Sequence, residues 1–389
     1  MYNAARAPSH LQLRERVVKL GSELNPSASR VIRVRATPQL FASICEVQYV
    51  HAMKAAVIGA SGYLGAELLR LLASHPDLEV VTAQADASAG MAIAELFPGI
   101  GGAYVGLTTT PTDPVACAGC DVVFVAVPSG RSQMIVPPLM ESVPVVVDLG
   151  ADFRLRDPAA YRRWYGFTHT APELLGRAVY GLPELHRTEL AGARLIAAPG
   201  CYVTAAALGL QPLLAAGVIE PDGLIVDAAS GTSGAGRQPS ATTHHAAVNE
   251  NFVAYGLLDH RHTPEMAQAI GAEVLFTPHL APMTRGILAT CYARPVQPVT
   301  TDDLLAALAA RYAGEPFVEV VAHPPSTRET YASNVARLTA RADARTDHVI
   351  VLVAIDNLTK GGAGQAIQAA NIALGLDETS GLPRVAVTP

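Results

Sequence analysis

The first sustained hydrophobic pattern begins at Met53. Ala55-Ala56-Val57-Ile58 is a continuous apolar run of the length taken by a strand buried on both faces. Gly59–Gly65 interrupts it as a turn, after which Leu64, Leu68, Leu71 and Leu72 recur on one face of a helix. His75-Pro76 stops that helix, and Leu78–Ala83 is the next strand, which completes a βαβ unit. Buried runs at Val122–Val127 and Val145–Asp148 extend the same parallel sheet. A strand at Arg194–Ala198 runs into Pro199-Gly200, and an Ala/Leu-rich helix follows from Cys201 until Gly217 closes it. The period then shortens to two. Leu224–Ala229, Gly286–Ala293, Phe317–Val321, Asn334–Arg341 and Val349–Ile355 read as strands, with helices from Thr263 and over Asp302–Tyr312. Ala336, Leu338 and Ala340 alternate with Arg337, Thr339 and Arg341, which predicts one wet face. A final apolar helix runs through Leu374.

The order of these elements predicts an α/β protein: a Rossmann-like parallel-sheet dinucleotide-binding domain plus an α+β domain with a mainly antiparallel sheet. The first domain takes residues 53–200 and 357–389, the second 201–356. With half of 389 residues hydrophobic and 16% charged, the chain has enough apolar material for two cores. Residues 1–52 break the pattern, with seven basic and three acidic residues and no apolar period after Val18. They read as a poorly ordered extension ahead of a domain starting at Met53. A cleaved transit peptide is the alternative, which Glu15, Glu23 and Glu46 fit badly.

A net charge of −6 gives no general attraction to nucleic acid or to an anionic membrane, and no apolar run nears the roughly 20 residues of a spanning helix. Five cysteines, an odd number scattered over a long chain, argue for a reducing compartment, so the expected location is cytoplasmic. Cys117 and Cys120 read as a packed pair, and no metal is assigned to them or to His244 and His245. Lysine occurs only at 19, 54 and 360, so Lys360 in the glycine-rich stretch Asp356–Gln365 stands out.

Candidate chemistry gathers at a few turns. Gly59, Gly62 and Gly65 between strand and helix suit a pyrophosphate at the helix N-terminus. The strand after them ends in Thr82-Ala83-Gln84 without an acid for a ribose 2′-hydroxyl. With Ser88 nearby this tilts toward NADP, while Asp86 keeps NAD open. Cys201 stands in the first turn of its helix, where the helix dipole favours a thiolate; a small buried hydrophobe is the competing reading. Ser230–Arg237 combines glycines, hydroxyls and an arginine as an oxyanion or phosphate cradle. Thr263-Pro264-Glu265 starts a helix with Thr263 as cap, placing His260 and His262 just ahead of it as neutral bases. Arg154 is a fork for a substrate anion or a solvated surface group.

Gly59–Gly65, Ala151–Arg154, Pro199-Gly200-Cys201, Gly231–Arg237, His260–Glu265 and Asp356–Gln365, in this order, resemble the N-acetyl-gamma-glutamyl-phosphate reductases of the semialdehyde dehydrogenase family. The resemblance runs from Met53 to the C-terminus. It implies NADPH-dependent reduction of a small acyl phosphate, N-acetyl-L-glutamyl 5-phosphate, to the semialdehyde in arginine biosynthesis. Cys201 would form a thioacyl intermediate, with His260 as acid/base and His262 second. It also implies a cofactor lying against Gly59, Ser61, Gly62, Tyr63, Leu64, Gly65, Ser88, Ser230, Gly231, Ser233 and Gly234, with Asn357, Lys360 and Gly361 at its nicotinamide end. Arg154, Arg261 and His262 would bind substrate, no metal is required, and a homo-oligomer (dimer or tetramer) is expected. One departure stands out: Pro128-Ser129-Gly130 replaces the common Pro-His-Gly, and Ser129 receives no catalytic role. Three other readings remain at this point: a paralogue acting on carrier-linked aminoadipyl phosphate, an aspartate-semialdehyde dehydrogenase, and a dinucleotide sensor without chemistry.

Overall fold

The computed structural model describes residues 52–388, together with two short strands, Ile32–Arg33 and Gln48–Tyr49, that pair antiparallel. The expectation for residues 1–52 otherwise lies outside the described residues. From Met53 onward the chain builds two seven-stranded sheets.

The first sheet contains β1 (Met53–Ile58), β2 (Leu78–Gln84), β3 (Thr109–Thr110), β4 (Val122–Val125), β5 (Val145–Asp148), β6 (Val179–Tyr180) and β7 (Leu195–Ala197). Their order is β3-β2-β1-β4-β5-β7-β6, and every pairing is parallel. β4 is buried at every position, as a strand covered on both faces must be. α1 (Tyr63–Leu72) lays Leu68, Leu69, Leu71 and Leu72 into one of the cores beside it. α2 (Ser132–Ser142) has no counterpart among the expected helices, because Pro137 and Pro138 lie inside it and hide its period. It nonetheless buries Ile135, Val136, Leu139 and Met140. Further helices, α3 (Pro158–Tyr165) and α4 (Pro183–Leu190), fill the segment before β7.

α5 (Cys201–Ala215) carries the chain into the second sheet. It is apolar nearly all round and correspondingly buried, packing across the middle of that sheet. The sheet contains β8 (Leu224–Ser230), β9 (Val253–Ala254), β10 (Val274–Leu280), β11 (Ile287–Ala293), β12 (Val318–Val320), β13 (Ala336–Asp343) and β14 (His348–Ile355), in the order β9-β10-β8-β11-β14-β13-β12. The pairings β8–β10 and β12–β13 are parallel and the other four antiparallel. β10 was not among the expected strands. Its Pro278 cannot donate to a ladder, and it is tolerated because only two-residue β9 borders that side. α6 (Thr263–Ile270) and α7 (Thr301–Arg311) join α5 on one face. On the other face Ile225, Tyr292 and Ile350 stand opposite one another across three strands and stay only half-buried. The expected wet face of β13 is partly corrected here, since Thr339 is buried.

After β14 the chain enters a π-helical turn, Thr359–Ala363, and then α8 (Gly364–Ala373), which packs on α1, α4 and β5. The last helix therefore returns to the first sheet and carries Asp356–Ala363 past the start of α5.

Candidate active site

Cys201 is the first residue of α5, and Gly200 caps it without a side-chain hydrogen bond. Two contacts fix this turn at close range. A Cβ on Gly361 would lie 2.8 Å from Cys201 Cβ, so the π-helical turn runs directly beneath the cysteine. A Cβ on Gly200 would meet His262 Nε2 at 2.5 Å, so an imidazole lies flush against the residue before it.

His260 and His262 pack with ring centres 4.9 Å apart, and both meet the edge of Tyr202 at 5.8 and 5.9 Å. His260 Nδ1 accepts the His262 N–H, and Tyr202 donates its hydroxyl to the His279 carbonyl while accepting that of Tyr255. α6 begins at Thr263 with His262, not Thr263, at its cap position. Burial first, and then Arg261, pushes His260 down to about 4 against the pull of Asp259. Burial, His260 and the two nearby arginines hold His262 well below the usual histidine range. Both imidazoles are therefore neutral at pH 7, as the sequence suggests, but burial is the main cause.

The thiol departs from expectation. Although part of the residue stays accessible, burial pushes Cys201 up to about 11, against Arg154 and the Tyr202 N–H, which favour the thiolate. Desolvation outweighs the start of the helix. The resting group is a thiol.

Arg154, expected to bind substrate, lies close to Cys201 with its guanidinium bonded to neighbouring groups. Its Nε donates to the Ala198 carbonyl at 2.8 Å and one terminal nitrogen to Leu149 O at 3.0 Å, while the other faces Glu265 at 3.4 Å. The structure does correct the expectation for Lys360. It is fully buried, with Nζ 2.5 Å from Glu184 Oε1 and 2.8 Å from Gln368 Oε1, and it lies over the Phe317 ring. Its charge is taken by an internal carboxylate and does not face a nicotinamide. Asn357 braces loops: its Oδ1 accepts the Gly286 N–H and its Nδ2 donates to Ser233 Oγ. Gly361, expected at the nicotinamide end of the cofactor, lies directly beside Cys201.

Around the glycine turn the three glycines divide their work. Gly59 has φ +85, and a Cβ there would strike Ala126 O at 2.2 Å; one on Gly65 would strike Gly59 O at 2.3 Å. Gly62 faces open space apart from Gly59 O at 3.5 Å, and α1 starts without a side-chain cap or an acid in its first turn. This is an uncapped helix N-terminus over an open backbone, which fits a pyrophosphate. Ser61 lies across from the Ser230–Arg237 loop, whose Arg237 donates to Ser61 O at 2.8 Å and stacks on Phe97. A cavity of about 360 Å³ opens there, walled by Tyr63, Thr232, Ser233, Arg237 and Leu358. Ser88 ends a 3-10 turn begun by Asp86, which accepts the Thr112 N–H and faces Arg131 at 3.5 Å. Arg131, beside the loop of Ser88, was not singled out in the sequence, because its partner lies 45 residues away. Arg261 reaches Ser129 Oγ at 3.2 Å and stacks on Tyr165, which joins the end of the first sheet to the histidine turn.

One further network binds the two sheets. Glu67 of α1 accepts Arg70, Arg285 and the Thr359 hydroxyl, and Arg285 also faces Asp356. Burial alone would raise the Glu67 carboxyl, but the bonds from Arg70 and Arg285 win and bring it down to about 2.

A parallel sheet with an open glycine turn, meeting a cysteine-bearing helix from a mostly antiparallel sheet, defines the chain as a semialdehyde dehydrogenase in build. The NAD binding domain model of the semialdehyde dehydrogenases matches residues 54–193, and their dimerisation domain model matches 201–357. The chain belongs to the N-acetyl-gamma-glutamyl-phosphate reductase family. It is 48% identical over 339 residues to the reductase of that name from Symbiobacterium thermophilum, covering 85% of this chain and 97% of that protein. With the Cellvibrio japonicus reductase it shares 46% over 348 residues, 87% of this chain and 100% of the relative. Among solved structures, aspartate semialdehyde dehydrogenase II from Vibrio cholerae superposes with a TM-score of 0.62 at 17% identity, over 84% of this chain and 99% of that one. The Candida albicans aspartate semialdehyde dehydrogenase with NADP gives 0.59 at 16%, over 83% and 98%. These two share the fold. No helix among the described residues is long and apolar enough to cross a membrane.

Proposed function

We propose that this chain reduces N-acetyl-L-glutamyl 5-phosphate to N-acetyl-L-glutamate 5-semialdehyde and phosphate, a step of arginine biosynthesis, with Cys201 as nucleophile and NADPH as reductant. The observation that carries this reading is a convergence at one turn: Cys201 Cβ on Gly361, and the His262 ring on Gly200. Residues 53–200 with 357–389 hold the dinucleotide, through Gly59, Ser61, Gly62, Tyr63, Leu64 and Gly65. Ser230, Gly231, Ser233 and Gly234 face it from the other side. Ser88 and Arg131 suit the 2′-phosphate that separates NADP from NAD, since a guanidinium near that loop neutralises it. When bound, NADPH supplies the hydride that reduces the acyl group carried on sulfur. Residues 201–356 supply the rest.

Cys201 Sγ attacks the acyl carbonyl as the bond to phosphate breaks. A neutral imidazole, His260 with His262 beside it, takes the thiol proton and passes it to the departing phosphate. When the thiohemiacetal collapses to aldehyde, the thiolate regains a proton from solvent through the same imidazole. Arg261 holds an anionic group of the substrate from its exposed place beside Ser129. Copies pair through the half-buried face of the second sheet, giving a dimer or tetramer in the cytoplasm.

The test is phosphate-dependent oxidation of N-acetylglutamate semialdehyde with NADP. Cys201→Ala abolishes turnover and leaves NADP binding, followed by titration, intact; full turnover in that variant refutes the covalent route.

A further inference from the structure

The turn that presents Cys201 is held by a carboxylate from another part of the chain. Glu265, in the first turn of α6, is 0% exposed. Its Oε1 accepts the Gly200 N–H at 2.8 Å and the Tyr180 hydroxyl at 2.7 Å, and its Oε2 faces Arg154 at 3.4 Å. Arg154 in turn donates to the carbonyl of Ala198. The peptide groups on either side of Pro199 are thus gripped, one by Glu265 and one by Arg154. The grip has a second consequence. Glu265 lies three residues after His262, so the carboxylate that holds Gly200 also fixes the histidine turn relative to the cysteine. Gly200 cannot donate its N–H within α5, because it precedes the helix. Without Glu265 that buried donor has no partner among the described residues.

We propose that Glu265 is the positioning residue of this site, registering the Gly200–Cys201 turn against the His260–His262 turn. This rests on the reading of Cys201 as nucleophile. Glu265 touches no reacting atom; its effect passes through the placement of Cys201 and the imidazoles. A misplacement of reacting groups by about 1 Å costs on the order of 10²-fold in rate. Glu265→Ala therefore lowers kcat about 10²-fold while the KM for NADPH stays within about twofold, since no cofactor-facing group moves. Glu265→Gln keeps an oxygen that accepts both the Gly200 N–H and the Tyr180 hydroxyl, so it recovers at least about tenfold of the lost kcat.

The experiment measures kcat, the KM for NADPH and the rate of Cys201 alkylation by iodoacetamide for the full-length wild type, Glu265→Ala, Glu265→Gln and Tyr180→Phe, with Cys201→Ala as reference. The expected result is a fall in kcat for Glu265→Ala, an altered alkylation rate, an unmoved KM, and rescue by glutamine. Tyr180→Phe, which removes one of the two donors to the same oxygen, gives a smaller fall of the same kind and serves where the alanine variant does not fold. Wild-type kcat in Glu265→Ala or, where it does not fold, in Tyr180→Phe overturns the proposal. So does a loss of NADPH affinity in step with kcat, which marks general damage. If Cys201→Ala is itself active, the nucleophile reading fails; if Cys201→Ala is dead and Glu265→Ala is normal, only the present proposal fails.

Discussion

Replacing Lys360 with methionine separates two accounts of the most conspicuous lysine in the chain. In the structure both partners of the Lys360–Glu184 pair are 0% exposed. Methionine keeps the length and apolar stem of the side chain, and it leaves Glu184 with the Gln368 amide at 3.1 Å as its side-chain donor, while Glu184 Oε2 has no partner among the described residues. Breaking a buried pair from one side costs about 3–5 kcal/mol. The carboxyl has an escape, which is to take up a proton. At pH 7 that costs roughly 3.7 kcal/mol relative to an unfolded glutamate near 4.3, so the loss settles at about 3–4 kcal/mol. With an unfolding entropy of about 0.7 kcal/mol/K for roughly 340 residues, Tm falls by about 5 °C. The sign of the pH dependence follows from the same escape. In the wild type the Glu184 carboxyl, though burial would raise it, is held below its usual range by Lys360. In the variant it is raised, so the deficit grows as pH rises above about 4.3, and between pH 7 and 5 it shrinks by up to about 2.7 kcal/mol. The assay is thermal unfolding of wild type and variant at pH 5 and 7, with NADP titration alongside. A second variant, Lys360→Met with Glu184→Met, is expected to melt closer to the wild type than the single one, because no unpaired charge remains. A single variant that melts within about 1 °C of the wild type at pH 7 and loses NADP affinity refutes the reasoning and returns Lys360 to the cofactor.

Two further outcomes follow from other charged groups. Glu67→Gln is destabilised by about 3 kcal/mol relative to wild type near neutral pH, from a carboxyl held at about 2 in place of about 4.5. Because that folded value is depressed, the gap is full above about 4.5 and closes as pH falls toward 2; a gap in Tm that ignores pH over this range counts against the network. Arg131→Ala raises the KM for NADPH about tenfold and leaves that for NADH unmoved, as loss of one exposed phosphate contact should; an equal change for both cofactors removes Arg131 from the 2′-phosphate site.

What could be read in advance was what local pattern carries. The strand, glycine turn and helix at Ala55–Leu72 need only neighbours in sequence, and so does the placing of Cys201 after Pro199-Gly200. The failures are long-range or are masked by proline. Lys360 looks like a loop cation in sequence because its partner Glu184 is 176 residues away. Glu265 reads as an ordinary acid in a first helical turn, which it is, yet its carboxylate serves Gly200, 65 residues earlier. α2 and β10 are hidden by Pro137, Pro138 and Pro278, and Pro278 is tolerated for a tertiary reason, its place beside the two-residue β9, that composition does not contain.

The cysteine shows why sign and size must be kept apart. A helix start favours a thiolate by something under about 2 kcal/mol, even in a partly buried place. Burial acts the other way and prevails, leaving the thiol at about 11 while the nearer-titrating imidazole, His260, lies at about 4. Both shifts oppose moving the proton from thiol to imidazole in the empty site. A preformed thiolate–imidazolium pair is therefore not the resting state. The sulfur must lose its proton as it bonds to carbon, when negative charge leaves the thiolate for the acyl phosphate and the burial that opposes ionisation no longer applies. The same desolvation that makes Cys201 a poor free nucleophile makes the register between two turns, more than the acidity of the thiol, the quantity on which turnover depends.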